Sequence, residues 1–554
     1  MILALRDAFS PRQPAAQRRG LMEVLRKSSS PRGLFGRRGF LTSAGATLLY
    51  TAIAPHALPR VATAASLGDY PFTLGVASGD PVSDGVVLWT RLAPRPFEGG
   101  GMPHQPVAVQ WRIARDEGMR SIVQRGAVLA LPELGHSVHV EVEGLQPSRW
   151  YWYQFKVGNE TSPIGRTRTA PAAGTPEAVR FAFVSCQHYA QGIYYAHKHL
   201  SEEVLDFGVH LGDYIYEGRA TSLVGRPHLP DHEITSIEDY RIRHAQYRSD
   251  PYLQAVHKAF PWIVTWDDHE TENDYAGLAP ENPADPADNQ PDFASRRARA
   301  YQVYYEHMPL RAAQLPTGPN LQLYRHVAFG DLLSLYVLDT RQYRSHRAPA
   351  NCELIERLDG YCPPALDPSR TIQGAQQQAW LLDGLGRSTA GWNVLANQVP
   401  FAPNDTNADP LVRTFGGEKW DGYPLDRQAV LDLLAARGRP NTVVITGDVH
   451  QNFVRNVPPD YVRLDAEPVA TEFVGTSITS GGDRTLSTVF GGNANNPHLR
   501  FQDNHHGYVR CKVTPNLWMA DYRVVPSVVQ PDDGGISTLA SFVVEQGQAG
   551  AQQA

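Results

Sequence analysis

Cysteine is sparse in this chain, four residues among 554, which excludes a disulfide-dense scaffold. Charged residues reach only 19%, against 42% apolar and 10% aromatic. That balance excludes a disordered or collagen-like polymer and leaves a globular protein with sizeable cores. Internal repeats are absent. No stretch past the amino-terminal arm approaches the roughly 18 uncharged apolar residues of a membrane span, so a soluble mature protein without a stable membrane anchor is expected. The length exceeds one ordinary domain and implies about two to four. Positive charge is missing from the body as well. The chain carries 51 basic and 57 acidic residues, yet residues 1–64 hold ten of the basic and only two of the acidic ones. The remainder therefore has 41 basic and 55 acidic side chains, a net charge of −14. Such a body argues against nucleic-acid binding and suits hard cations.

The basic arm reads as an address. Arg37-Arg38-Gly39-Phe40-Leu41-Thr42 sets two arginines before an uncharged run from Phe40 to Ala54, too short for a bilayer span of roughly 20 residues. Ala62-Thr63-Ala64 offers an A-x-A cleavage site. The pattern resembles a twin-arginine export signal over residues 1–64. It implies passage through the twin-arginine translocase and a periplasmic or extracellular destination. Gly36, Gly39, Gly45 and Pro55 make the alternative, an amphipathic surface helix, a poor one. Met1 and Met22 are both candidate starts.

Residues 65–170 read as a small all-β domain of about seven short strands, among them Gly85–Thr90, Val107–Arg112, Ser137–Val142 and Trp150–Phe155. Leu145-Gln146-Pro147 ahead of the Trp150 run looks like the corner of a fibronectin-III or immunoglobulin-like sandwich. Residues 171–176 are a linker by composition. From residue 177 to 544, near-continuous apolar strands alternate with helical patterns such as Ile237–Arg248 and Gln376–Leu385, the signature of layered α/β. The Gln-, Gly- and Ala-rich residues 545–554 read as a disordered tail.

In α/β sheets ligands gather at the carboxyl ends of strands. Here those ends carry Cys186, Asp213, Tyr216, Asp268, His269, Asn397, Asp448 and His450. Asp213 and Tyr216 lie three apart just beyond a strand, where one turn aims both at a single ion, and a carboxylate has oxygens enough to bridge two. A tyrosinate beside a thiolate favours a trivalent, strongly Lewis-acidic metal such as iron. Asp268, Asn397 and Asp448 are hard oxygen donors suited to calcium or another divalent ion. Two ions about 3.5–4 Å apart serve in-line displacement at phosphorus. Singly, each residue has a duller reading: Cys186 a buried thiol or a nucleophile, the aspartates helix caps, Tyr216 core.

Together with Phe72–Pro81, Val87–Arg91, Ser185-Cys186-Gln187, Gly212–Glu217, Trp266–Glu270, Leu338–Arg344 and Gly447–His450, the pattern resembles the PhoD-like alkaline phosphatases and phosphodiesterases of the calcineurin-like metallophosphoesterase superfamily. The resemblance covers nearly the whole mature chain. It implies a four-layer α/β/β/α catalytic domain, in which Asp-x-His is replaced by Ser-Cys-Gln. By resemblance, Cys186, Tyr216 and His450 bind Fe3+, Asp213 bridges, and Asp268, Asn397 and Asp448 bind one or two Ca2+ or other divalent ions. His269, with Asp213, is then catalytic, contacting phosphate and leaving group while a metal-activated oxygen attacks phosphorus. Glu270 and Asn273 are expected to orient ligands, and Arg341 to hold phosphate or to pair with Asp339. The implied substrate is a small or polymeric phosphate ester, with monoesters, diesters, phospholipids and wall polymers left open and a monomer expected. A non-catalytic, exported polymer-binding protein is the rival reading. Cys352 and Cys362 read as a loop-closing disulfide, Cys511 as a buried small hydrophobe, and His505-His506 as an exposed loop pair.

Overall fold

The structure is a computed structural model; it describes residues 69–554 except 176, 284–291, 348–362, 408, 410–413, 440, 461 and 484–494. The export arm and the Cys352–Cys362 pairing lie outside the described residues.

Eight strands precede residue 170: β1 (Val76–Val82), β2 (Gly85–Arg91), β3 (Val107–Ala114), β4 (Ile122–Ala130), β5 (Ser137–Val142), β6 (Trp150–Val157), β7 (Glu160–Thr161) and β8 (Gly165–Arg168). β3, β4, β6, β7 and β8 form one five-stranded sheet. Val109, Ile113, Tyr153 and Phe155 on its inner face share a core with Val86, Leu88 and Val140 of the layer opposite. One layer of this all-β region does not stop at its edge. That opposite layer, β1-β2-β5, is the end of a ten-stranded sheet that continues into the following region. The reason lies in β2, GVVLWTR, buried at every position. Leu88 faces the sandwich core, whereas Trp89 packs with Leu74, Ala77 and Ala245 on the other side. A hairpin buried on both faces needs a paired edge, and Gly79 of β1 finds one in parallel pairing with Trp262. The described residues from 69 onward are accordingly one compact unit.

The chain continues through β9 (Val179–Val184), β10 (Phe207–His210), β11 (Trp262–Val264), β12 (Arg325–Phe329), β13 (Leu333–Val337), β14 (Trp392–Ala396), β15 (Thr442–Thr446), β16 (Asn452–Val457), β17 (Ala470–Val474), β18 (Leu499–Asp503), β19 (Gly507–Val513), β20 (Leu517–Val524), β21 (Ser537–Glu545) and β22 (Gln552–Gln553). Helices α1 (Tyr195–Leu200), α2 (Ile237–Arg248), α3 (Pro251–Ala259), α4 (Phe293–His307), α5 (Gly374–Arg387) and α6 (Pro424–Arg437) intervene. The long sheet runs β22-β21-β20-β19-β9-β10-β11-β1-β2-β5, and a second runs β12-β13-β14-β15-β17-β16-β18. Alternation sorts the side chains. Phe181, Phe183, Val209 and Ile263 of the first sheet share a cluster with Leu335, Val337, Val394 and Ile445 of the second. Their neighbours Ala182, Val184 and Val264 turn to Tyr240, Leu253 and Tyr301 on helices, while Tyr336, Leu395 and Val444 turn to Leu381, Leu385 and Val430. Cys511 is buried in the shared cluster, as expected of a small hydrophobe.

Helix α2 starts where the sequence indicated, with Ser236 and Asp239 closing a capping box. The expectation for the tail is corrected. Phe542 and Val543 pair with Gln553 and Gln552, Gly550 N donates to Thr471 Oγ1 and Ala551 N to Asn456 Oδ1, both at 2.9 Å. Composition hid this because β22 contributes backbone hydrogen bonds to an open edge and needs few apolar side chains. No helix among the described residues is long and apolar enough to cross a membrane.

Candidate metal centre

β9, β10 and β11 run parallel, as do β13, β14, β15 and β17. Each set therefore delivers its carboxyl ends to one edge. Cys186, Asp213, Asp268 and His269 follow strands of the first sheet; Asn397, Asp448 and His450 follow strands of the second. Cys186, Asp213, Asp448 and His450 all have left-handed backbones, with φ of 60°, 56°, 67° and 54°. Such conformations cost energy in a non-glycine residue and persist where surrounding structure enforces them. Neighbouring glycines permit the crowding. A Cβ on Gly212 would lie 2.5 Å from Asp267 N, and one on Gly447 would lie 2.5 Å from Ser185 Oγ.

Donor atoms of Cys186, Asp213 and His450 all lie within 4.8 Å of one another, and so do those of Asp213, Asp268 and His269. Asp213 belongs to both groups. Its Oδ2 accepts from Tyr216 Oη at 2.9 Å, whereas its Oδ1 is buried with no hydrogen-bond partner among the described residues. Tyr216 Oη also lies 3.1 Å from His450 Nε2 and accepts from Ser480 Oγ at 2.6 Å. The Tyr216 ring is flanked by His188 and His269, at centroid distances of 4.5 and 4.2 Å. A cleft of about 330 Å³ opens here, lined by His188, Tyr216, Glu217, Arg219, His269 and His450 among others.

Glu270 accepts backbone N–H groups from Tyr214 at 2.6 Å, Asp213 at 3.1 Å and Asp267 at 2.9 Å. It thereby ties the turn after β10 to the turn after β11. Asn273 instead donates its backbone N–H to Glu217 Oε1 and its amide to Glu281. Of the two roles expected of Arg341, the ion pair to Asp339 is not formed. Asp339 accepts the backbone N–H groups of Arg341 and Gln342, while the guanidinium binds Asp267 and, at 3.0 Å, Asp274. Its Nη2 lies 3.4 Å from Asp268 and 3.6 Å from Asp448, and Lys419 Nζ lies 2.6 Å from Asp448. Asn397 is buried, donating Nδ2 to Val399 O and accepting at Oδ1 from Trp420 Nε1 at 3.0 Å. These two partners fix which end of the amide is oxygen and leave Oδ1 one lone pair.

Sequence reasoning missed Glu217, whose Oε2 lies 2.7 Å from His269 Nδ1, although it closes the Gly212–Glu217 motif. It also missed Lys419, Ser480 and His188, which no local pattern marks. Of the His505-His506 pair, His506 is buried on Ser477, contrary to expectation.

Burial, reinforced by Asp213, pushes the Cys186 thiol and the Tyr216 phenol well above their ordinary values. Asp213 is raised as well, by burial and by the like charges of Asp268 and Asp267. For His269, burial acts downward but Glu217, Asp268 and Asp213 outweigh it and hold the imidazolium. For Asp268, burial acts upward but Arg341 and His269 prevail, keeping it ionised. Burial carries Asp267 up to about 8 despite Arg341, and Glu270 up to about 7.

This chemistry fits a cation. The Cys186 thiol and the Tyr216 phenol, beside the buried Asp213, are held toward their protonated forms, and a metal displaces such protons on binding. Thiolate, phenolate, carboxylate and imidazole suit iron, while the carboxylates of Asp268 and Asp448 suit a hard cation.

Two donor groups joined through one buried aspartate, on the carboxyl edges of two sheets, define a candidate centre of the two-cation hydrolase class. The chain belongs to the PhoD-like phosphatase family: the PhoD-like phosphatase model matches residues 181–522 and the PhoD-like phosphatase N-terminal domain matches residues 57–171. It is 47% identical to alkaline phosphatase D of Bacillus subtilis (strain 168) over 553 residues, covering 96% of this chain and 91% of that one. The solved structure of PhoD matches with a TM-score of 0.82 at 48% identity, over 88% of this chain and 92% of that one. Purple acid phosphatase PPD1 of yellow lupin (Lupinus luteus) shares the fold, with a TM-score of 0.50 at 12% identity over 86% and 74% of the respective chains. The resemblance read from the motifs holds, and the protein is a phosphoric ester hydrolase of mixed, sheet-rich α/β architecture.

Proposed function

We propose that this is an exported, metal-dependent phosphoesterase of the alkaline phosphatase D type, with a helix–sheet–sheet–helix catalytic body. The carrying observation is that Asp213, with a buried unpartnered oxygen, belongs to both donor groups. Cys186, Asp213, Tyr216 and His450 would hold Fe3+; Asp213, Asp268, Asn397 and Asp448 would hold Ca2+ or another divalent ion. When bound, such ions supply Lewis acidity to phosphoryl oxygens and to an attacking water. Asp213 joins the two positions, and Glu270 holds its loop still. Glu217 binds His269 at Nδ1, so Nε2 is the atom left to hold a proton for the departing alkoxide. Arg341 and Lys419 offset negative charge at Asp268 and Asp448.

Export by the twin-arginine route is supported by the arm's sequence. The test is metal analysis of the purified protein combined with turnover of p-nitrophenyl phosphate, its bis ester and phosphatidylcholine. The monoester and diester should be turned over with iron and a divalent ion present. An iron- and calcium-free protein whose stability ignores chelators, and which turns over none of the three after metals are restored, would favour the polymer-binding reading.

A further inference from the structure

The outer face of the five-stranded sheet differs in charge from the rest of the molecule. The body beyond residue 64 has a net charge of −14, yet β3, β4 and β6 contain no Asp or Glu. Their outward positions include Arg125 on β4, Arg112 directly opposite on β3, and Lys156 on β6 opposite Gln110. All three cations are exposed, and none forms an ion pair among the described residues. They line a trough of about 610 Å³ together with Gln110, Gln154 and Thr161. Glu160 pairs with Val157, whose side chain is on the buried face, so it does not stand opposite the cations.

Like charges directly opposite on neighbouring strands are destabilising. Arg112 and Arg125 are such a pair, and a single contact, Arg112 Nη2 donating to Gln154 Oε1 at 2.6 Å, steadies one of them. Strands lie about 4.8 Å apart and alternate residues on one strand about 6.8 Å apart, so the three charges spread over more ground than one small ester covers. Guanidinium groups bind phosphate in a two-pronged geometry that ammonium lacks. The amide of Gln110 adds a neutral donor, whereas that of Gln154 is engaged by Arg112 and Ser162 O.

We propose that this face docks a linear phosphate polymer without bases, separately from the candidate metal centre, since the net charge of −14 beyond residue 64 disfavours a nucleic acid. The phosphate character of the partner rests on the phosphoesterase reading; the cationic face does not. Docking there would raise the local concentration of a polymeric ester around the enzyme without altering the chemistry on a small one.

Long-chain inorganic polyphosphate is the probe, titrated against the full mature chain and against an Arg112→Gln/Arg125→Gln/Lys156→Gln variant at several salt concentrations. The wild type should bind with an affinity that falls steeply with salt, and the variant should bind at least about tenfold more weakly, with a shallower salt dependence. Turnover of p-nitrophenyl phosphate should be equal in both, which also shows that the variant is folded. Equal polyphosphate affinity in the two proteins overturns the proposal, as does no binding by the wild type at low salt. Tighter binding of a single-stranded oligonucleotide than of polyphosphate overturns the choice of occupant. Loss of p-nitrophenyl phosphate turnover from both proteins would refute the catalytic reading while leaving the binding comparison valid.

Discussion

Glu217→Gln tests how His269 acts. Glu217 presents Oε2 to His269 Nδ1 at 2.7 Å and Oε1 to the backbone N–H of Asn273, also at 2.7 Å. Both partners are donors when the imidazole is protonated, and glutamine offers only one oxygen. The backbone N–H is fixed, so the contact given up is the one to His269, which then shifts toward the neutral ring. A hydrogen bond between charged groups contributes about 1.5–3 kcal/mol, and each 1.36 kcal/mol is a factor of ten in rate. The expected loss in kcat/KM is thus about 10- to 150-fold wherever leaving-group protonation limits the rate. It should depend on the leaving group. Phenyl phosphate, with a basic leaving oxygen, should suffer the full loss, and p-nitrophenyl phosphate, whose anion departs unaided, should suffer little. The assay is kcat/KM across a series of aryl phosphates for wild type and variant. An equal loss along the whole series would refute proton donation by His269 and leave it as a phosphate contact only.

Tyr216→Phe removes the hydroxyl shared by Asp213, His450 and Ser480; iron-loaded wild type should show a visible charge-transfer band that the variant lacks, and a colourless iron-loaded wild type would contradict phenolate ligation. Glu270→Gln leaves one of three backbone N–H groups facing an amide, so urea unfolding should show about 3 kcal/mol less stability; an unchanged midpoint and slope would mean the two turns hold together without it. Calcium at a hundredfold over its Kd should stabilise the wild type by about 2.7 kcal/mol and Asp268→Asn hardly at all, read as a shift in thermal midpoint; equal shifts would place the ion elsewhere.

Much of this protein was legible along the chain. Buried parallel strands announce themselves as apolar runs, because both faces of each are covered, and β9, β10, β11, β14 and β15 stand where the runs predicted. Their carboxyl ends exposed Cys186, Asp213, Asp268, Asn397, Asp448 and His450 as candidates, since a polar residue directly after such a strand lies at the sheet edge. The order of these motifs identified the family.

Other features were decided only by the fold, because they join residues with no local relation. Ser480 reaches Tyr216 across 264 positions, and Arg341 answers Asp267 across 74. Lys419 meets Asp448 from the N-cap of a short 3-10 turn whose Trp420 shares a core cluster with Leu395 and Val444 of the second sheet. The sheet that β1, β2 and β5 share with the following region was hidden for a similar reason. A strand's own residues state whether its faces are buried, and they do not state which edge pairs with which. β1 could therefore join β11, and β22 could close the edge of β21, without any sign in their composition. Sequence supplied the candidate ligands and the strands that carry them; backbone pairing across the chain decided how many sheets there are and which charges meet at the candidate centre.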